Sequence, residues 1–345
     1  MGCRAIVLAG AVLAVAGCAR GLKETWQTTP PHPGSEVVVA VVAAQNPDPY
    51  AAGRQAAQAL KDKFLGGPKV VLISECYLGR KNKERLLRGI RSVLPREILF
   101  GGATYGSITI DGCHDRDAVA LLGLAGDGVG VRAALERELG ASGPWTEDAS
   151  DPLARRLRAA GARLARKIPT SASDRLLVVI ADAHSPKNGP LVQGIQDVLG
   201  LRFPIIGGSV SKNAGQSYVY YQGEMFSDAA VALMLSGAFN VSLAGRQAKE
   251  AKAVVATAEA ATAIAHQHLK GSPTLALIFD CAGRKGKLDR PADEIVPIKR
   301  VLKRDVPLFG CYCAGEIGPA DTSDASPNVL SHGVGWHIMI ALLGR

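Results

Sequence analysis

Two stretches decide the reading of this chain: Ile98-Leu-Phe-Gly-Gly-Ala-Thr104 and Pro204-Ile-Ile-Gly-Gly-Ser-Val210. Each ends a matching series. Val70 to Ile73 is a short apolar run rich in β-branched residues, a buried strand. Leu86, Leu87, Ile90 and Leu94 follow at helical spacing, and Gly101 comes about 31 positions after Val70. Leu176 to Ile180 repeats the strand, Pro190 to Leu199 the helix, and Gly207 again lies about 31 positions after Leu176. Strand-like runs then recur at Ser107–Asp111 and Ala118–Leu124, and at Tyr218–Gln222 and Ala229–Leu235. Asp117-Ala-Val-Ala-Leu echoes Asp228-Ala-Ala-Val-Ala-Leu.

A third, looser copy closes the chain. Leu275–Phe279 is its strand, Glu294–Lys303 its helix, Pro307–Gly310 the partner strand and His337–Leu343 the last. Further helices are expected over Asp48–Phe64, Asp151–Lys167 and Gln247–Leu269. Two strands that bracket a helix should be parallel, and the closely spaced later strands should form antiparallel meanders. The expected fold is therefore α/β. Tandem strand-helix-strand units carry added antiparallel strands, and the mixed sheets are covered by helices on the outside.

The last third also carries a resemblance. Phe279-Asp-Cys-Ala-Gly-Arg284 is similar to the Phe-x-Cys-x-Gly-Arg stretch of the C-terminal half of FIST domains. Pro307-Leu-Phe-Gly-Cys-Tyr-Cys-Ala-Gly-Glu-Ile-Gly-Pro319 resembles that half's Pro-x-x-Gly-x-x-x-x-Gly-Glu-Ile-Gly-Pro signature, and the two double-glycine strands resemble the N-terminal half. The resemblance covers roughly residues 37–340. It implies a bacterial sensory input module that binds a small ligand, such as an amino acid or similar zwitterion, and signals through a separate partner protein. The segment between Gly245 and Leu275 is shorter than the family pattern, and Ser331-His332-Gly333 stands where a His-Asn-x-Thr run is expected.

The N-terminus gives an address. Arg4 precedes an apolar run, Ala5–Ala16, too short for the roughly 20 residues a bilayer needs. It ends in Val15-Ala16-Gly17-Cys18, which resembles a lipobox with Cys18 as the lipidated residue. Residues 1–18 read as a lipoprotein signal peptide and 19–36 as a proline-bearing tether. Residues 37–245 read as a FIST N-terminal-like half of two units, and 246–345 as the C-terminal-like half. The expected place is the extracytoplasmic face of a bacterial membrane. Stable anchoring follows from several acyl chains, each buried CH₂ adding about 0.8 kcal/mol.

Composition narrows the function. The 345 residues are 47% hydrophobic and carry a net charge of +9, which favours anionic surroundings. Only 5% are aromatic, and a nucleic-acid partner is not expected without a basic groove lined by stacking rings. No Walker or dinucleotide-binding glycine motif occurs, so no cofactor is expected. Beyond Cys18 five cysteines remain; the Cys311-x-Cys313 pair offers two thiols on one strand face, short of a metal set.

A ligand site is expected beyond the carboxyl ends of the parallel strands, where loops converge. The residues there are Glu75, Asp182 and Cys281 with Arg284 after the first strands. After their partners come Gly101, Gly102 and Thr104, then Gly207, Gly208 and Ser209, then Cys311 and Glu316. Arg284 would clamp a carboxylate, and Glu316 or Asp182 would take an ammonium. In a structural alternative Arg284 and Glu316 pair with each other. Two other functions remain open: a thiol enzyme using Cys281 or Cys311 with His184 or His332, and a lipoprotein scaffold that binds only protein.

Overall fold

The computed structural model describes residues 23–32, 34–146, 151–212, 216–303, 306–321 and 326–345. The expected signal peptide and Cys18 lie outside them. A short strand, β1 (Thr25–Gln27), precedes three units of one plan. The first is β2 (Val38–Gln45), α1 (Pro49–Lys61), β3 (Val70–Glu75), α2 (Arg80–Arg91), β4 (Leu99–Ala103), a hairpin β5 (Ser107–Thr109) and β6 (Gly112–His114), and β7 (Ala118–Ala125). The second repeats it with β8 (Val129–Arg137), α3 (Pro152–Arg166), β9 (Asp174–Ala181), α4 (Asn188–Leu199), β10 (Ile205–Ser209), the hairpin β11 (Val219–Tyr221) and β12 (Glu224–Phe226), and β13 (Ala229–Gly237). The third has β14 (Asn240–Gln247), α5 (Ala251–His268), β15 (Pro273–Cys281), α6 (Ala282–Lys285), α7 (Ile295–Leu302), β16 (Leu308–Cys313), the hairpin β17 (Glu316–Gly318) and β18 (His332–Val334), and β19 (His337–Gly344).

Local chemistry sets the helix starts. Asp48 and Asp151 each precede a proline at the first helical position. Asp48 accepts from the Tyr50 amide, and Asp151 from those of Leu153 and Ala154. The carboxylate satisfies amides that lack a helical partner, and the proline has no amide to leave unpaired. In the second unit Gly161 and Gly194 let α3 and α4 cross so closely that a Cβ at either would strike the other helix's backbone.

Each sheet is built on the same four strands. β3–β4, β9–β10 and β15–β16 are parallel, and β7, β13 and β19 pair antiparallel with β3, β9 and β15. β2, β8 and β14 then pair with β7, β13 and β19. Entry to the last strand repeats as well: Asp117, Asp228 and Trp336 all hold positive φ, immediately before β7, β13 and β19. The third unit thus begins with β14 at Asn240.

The hairpins do not form meanders within their own units, as the sequence suggested. Each crosses to a neighbouring sheet. β11–β12 extends the first sheet beside β4, β17–β18 the second beside β10, and β5–β6 the third beside β16. The exchange is cyclic, so no unit has a complete sheet without another. Strand pairing at the hairpins joins residues as far apart as Ser107 and Cys311, which local pattern cannot show.

The inner faces of all three sheets share one apolar core, with Leu72, Val178 and Leu277 among its members. The outer faces are covered by α1–α2, α3–α4 and α5–α7. Leu157, Leu191 and Ile195 are fully buried there, each worth roughly 1.5–3 kcal/mol of burial. The expected tether is partly docked: β1 pairs with β8, and the Trp26 ring lies 5.0 Å from that of Phe100. Among the described residues no helix is long and apolar enough to cross a membrane.

Candidate functional site

The parallel strands of all three sheets end at a common point. Side chains alternate along a strand, so inward and outward positions part company there. Measured from the start of β7, β13 and β19, the pairing aligns Ser74 with Ile180 and Phe279, and Glu75 with Ala181 and Asp280. The first trio points inward. With Gly102, Gly208 and Cys311, and with Thr104, Val210 and Cys313, it encloses a cavity of about 20 Å³, room for about one water. Ser209 also lines it.

Three equivalent strand ends give this hollow three different chemistries. The first unit contributes hydroxyls: Ser74 Oγ lies 3.1 Å from Thr104 Oγ1 and 2.8 Å from Ser107 Oγ. The second contributes the aliphatic Ile180 and Val210. The third contributes Phe279 and two thiols, with 3.3 Å between the sulfurs of Cys311 and Cys313. Burial and the neighbouring Cys311 push the Cys313 thiol far up, so it stays protonated. The lining bears no charged side chain.

The charges sit one residue further on, under the helices. Glu75 accepts from Lys83 Nζ at 2.8 Å, from the Tyr220 hydroxyl at 2.5 Å and from the Tyr77 amide at 2.8 Å. In the third unit Arg284 is fully buried, and four of its five N–H groups have partners. Nε donates to Asp280 at 2.8 Å, Nη2 to Glu294 at 2.8 Å and to the Val254 carbonyl at 3.0 Å, and Nη1 to Thr257 at 3.0 Å. Two carboxyls share one guanidinium. Burial, then the second carboxylate, pushes Glu294 up to about 10, and burial also raises Asp280, so the cluster retains a proton.

The expected site residues therefore divide. Gly102, Thr104, Gly208, Ser209 and Cys311 come together around the hollow. Gly101 and Gly207 lie in the adjoining backbone against β3 and β9. Glu75, Asp182, Cys281, Arg284 and Glu316 do not line it. Arg284 does not pair with Glu316: its Nε goes to Asp280 and its Nη2 to Glu294. Glu316 is buried in β17, where it accepts from the His337 amide at 3.0 Å; burial drives its carboxyl well up. Asp182 accepts from the Asp228 amide at 2.7 Å, and burial raises it too. Asp280 is among the polar strand-end residues that the sequence offers, but sequence reasoning missed its pairing with Arg284, and missed Glu294 altogether. The i,i+4 spacing of Asp280 and Arg284 was the available signal.

Neither His184 nor His332 is hydrogen-bonded to Cys281 or Cys311, and the titratable group beside the Cys281 thiol is the buried Glu316 carboxyl. Cys281 caps α6, its sulfur accepting from the Gly283 amide at 3.3 Å, and burial pushes the thiol up to about 12. His184 stands 3.4 Å from Asp182, its imidazole lowered to about 4 by burial and nearby lysines. His332 accepts from the Ser326 amide at 3.4 Å. All five described cysteines are free, and among the described residues no group of three or more His, Cys, Asp or Glu could hold a metal ion.

Comparison with solved structures gives a cyanuric acid hydrolase from A. caulinodans, 9% identical with a TM-score of 0.43, covering 90% of this chain and 100% of that one. A second cyanuric acid hydrolase, described as an evolutionary innovation by structural concatenation, is 10% identical with a TM-score of 0.43, covering 90% and 99%. No curated protein matches the sequence. The profile of the FIST N domain matches residues 70–265 and that of the FIST C domain residues 229–319. With more than half of its length matched by the first profile alone, and both halves in order, the chain belongs to the FIST family.

Proposed function

We propose that this protein is a membrane-tethered sensor that binds a small molecule where the three units meet and reports through a separate partner protein. The family is generally associated with sensory signal transduction. The observation that carries the reading is the convergence of equivalent strand ends from three units on one hollow, each lined differently. A guest there contacts every unit, and the cyclic exchange of hairpins passes a displacement in one sheet to the next.

The hollow as described is the closed state. Binding acts by favouring a state in which the units part, and it does so only through unequal affinity for the two states. The lining selects a compact, weakly polar ligand that accepts or donates to hydroxyls. A zwitterion fits it poorly, since Arg284 is committed to Asp280 and Glu294. Tethering through a lipidated Cys18 places the sensor at the outer face of a bacterial membrane; palmitate labelling that survives Cys18→Ser would remove this part.

A thermal-shift screen tests the site. A true ligand at about 100 times its Kd adds about 2.7 kcal/mol. The expected hit loses its effect in Thr104→Val, which deletes a hydroxyl from the lining at nearly constant shape. A hit whose effect is unchanged in that variant binds elsewhere, for example in the cleft of about 180 Å³ beneath Thr28–Pro31. A thiol enzyme is the weaker reading, because the Cys281 thiol is held protonated.

A further inference from the structure

The hollow where the three units meet is also where two thiols touch. Cys311 and Cys313 are two residues apart on β16, so both point to its inner face, and their sulfurs lie 3.3 Å from each other. Both are buried and free. Hydroxyls stand beside them. Ser107 of β5 is directly opposite Cys311 on the same face, and its Oγ is 2.8 Å from that of Ser74, which is 3.1 Å from Thr104 Oγ1. Ser74, Thr104, Cys311 and Cys313 line the cavity of about 20 Å³, and no charged side chain joins them. A guest that uses the thiols meets three conditions. Its bulk is about one heavy atom, since the closed space admits about one water. It leaves the site neutral, because a buried charge without a partner is costly. It takes both sulfurs from one side, because they are already in contact. A two-coordinate soft cation fails here. It holds its sulfurs on opposite sides, roughly 4.6 Å apart for bonds of about 2.3 Å, and two thiolates around a monovalent ion leave a negative charge. A tetrahedral ion needs further ligands, and among the described residues no group of three or more His, Cys, Asp or Glu could supply them.

We propose that Cys311 and Cys313 form a chelating dithiol site for a neutral trivalent oxyacid of the arsenous or antimonous type. The proposal rests on the reading of the hollow as the sensing site and gives that site a ligand class. Binding is a condensation: As(OH)₃ and two thiols give (RS)₂AsOH and two waters. Two arsenic–oxygen and two S–H bonds break, two arsenic–sulfur bonds form, and each departing hydroxyl leaves with a thiol proton as water. Arsenic stays trivalent, no oxidant or reductant is consumed, and no net proton is released. A thiol held protonated by burial, as Cys313 is, therefore does not oppose the bound state. A cation, by contrast, must drive that proton off. The three bonds of trivalent arsenic splay to one side, which suits two sulfurs in contact. The product is uncharged, like the lining, and its remaining hydroxyl meets those of Ser74 and Thr104, which both donate and accept. Bonding to a shared atom should move the Cys313 sulfur from its seat against Gly208, giving the second unit a displacement to report.

Titration of the full chain with sodium arsenite, after reduction by a phosphine that is then removed, tests this. One arsenic should bind per chain, and X-ray absorption at the arsenic edge should show two sulfurs and one oxygen. The Kd should change by less than about twofold between pH 6 and pH 8, whereas a cation gains about tenfold per pH unit for each proton it displaces. Cys311→Ser and Cys313→Ser should each weaken binding by at least about a hundredfold, since the second sulfur then no longer binds within the same molecule. The paired change Cys76→Ser and Cys113→Ser should leave binding unaltered. Absence of binding overturns the proposal, as does any other arsenic shell, a Kd that tightens steeply with pH, or binding that survives Cys311→Ser. An organic ligand that loses its effect in Thr104→Val, with no arsenite bound, overturns the dithiol chemistry and keeps the hollow as the sensing site. The arsenic shell of the native protein, with that of the Cys76 and Cys113 variant, decides the matter even if Cys311→Ser and Cys313→Ser fail to fold.

Discussion

The sulfur of Cys313 lies against the bare α-carbon of Gly208, in the space a Cβ on residue 208 would fill. Cys313 ends β16 of the third unit and Gly208 lies in β10 of the second, so this contact seals the central hollow between two units. Gly208→Ala should destabilise the protein by about 1–3 kcal/mol through overpacking. Cys313→Ala in the same chain should recover part of that loss, because it removes the atom that is struck. Urea denaturation of the two single variants and the double variant checks it. Strict additivity would mean the two residues do not press on each other.

The buried Arg284 cluster should behave as structure. Arg284→Met leaves Asp280 and Glu294 without their cation, at a cost of about 3–5 kcal/mol. Arg284→Lys should recover little, since one ammonium cannot reach Asp280, Glu294, Thr257 and the Val254 carbonyl together. Chemical denaturation measures both. A lysine variant of native stability would show that charge alone matters and that the fork geometry does not.

The same cluster sets a pH dependence. Glu294 is raised from 4.5 to about 10. Between those values the folded chain holds a proton that the unfolded chain has lost. Stability from this group is full below the unfolded value and falls as pH rises through the window. Glu294→Gln should therefore flatten the decline in stability between pH 5 and pH 9 relative to the native protein. An identical slope in both would place the retained proton on another group.

Cyclic hairpin exchange predicts that the three units unfold together. Removing the chain after Gly237 would leave the second sheet without β17–β18, and the truncated chain should not fold. Calorimetry of the native protein should give one transition with equal calorimetric and van't Hoff enthalpies. Separate transitions for the units would contradict the coupling on which the proposed signal passage depends.

Much of this architecture can be read from the residues. The parallel strands, their helices and the strand after each double glycine announce themselves by apolar runs and by spacing. The first strands of the second and third units do not. β8 reads Val-Gly-Val-Arg-Ala-Ala-Leu-Glu-Arg, whose composition suits a helix as well as a strand. β14 interleaves serine and glycine with its apolar residues. Hairpin exchange leaves no local mark, because the partner of β5 lies in another unit. That the strand-end glycines and Thr104 come together was legible from their recurrence. Arg284 was misplaced because its role depends on Glu294, ten residues on, brought back beneath it by the turn before α7.

The most direct test of the sensing account is a crystal structure with a ligand found by thermal shift. The account predicts density at the meeting point of the three units, within hydrogen-bond reach of Thr104 or Ser74, with Cys313 drawn away from Gly208. Density confined to the cleft beneath Thr28–Pro31 or to another surface, with Cys313 still seated on Gly208, would contradict it.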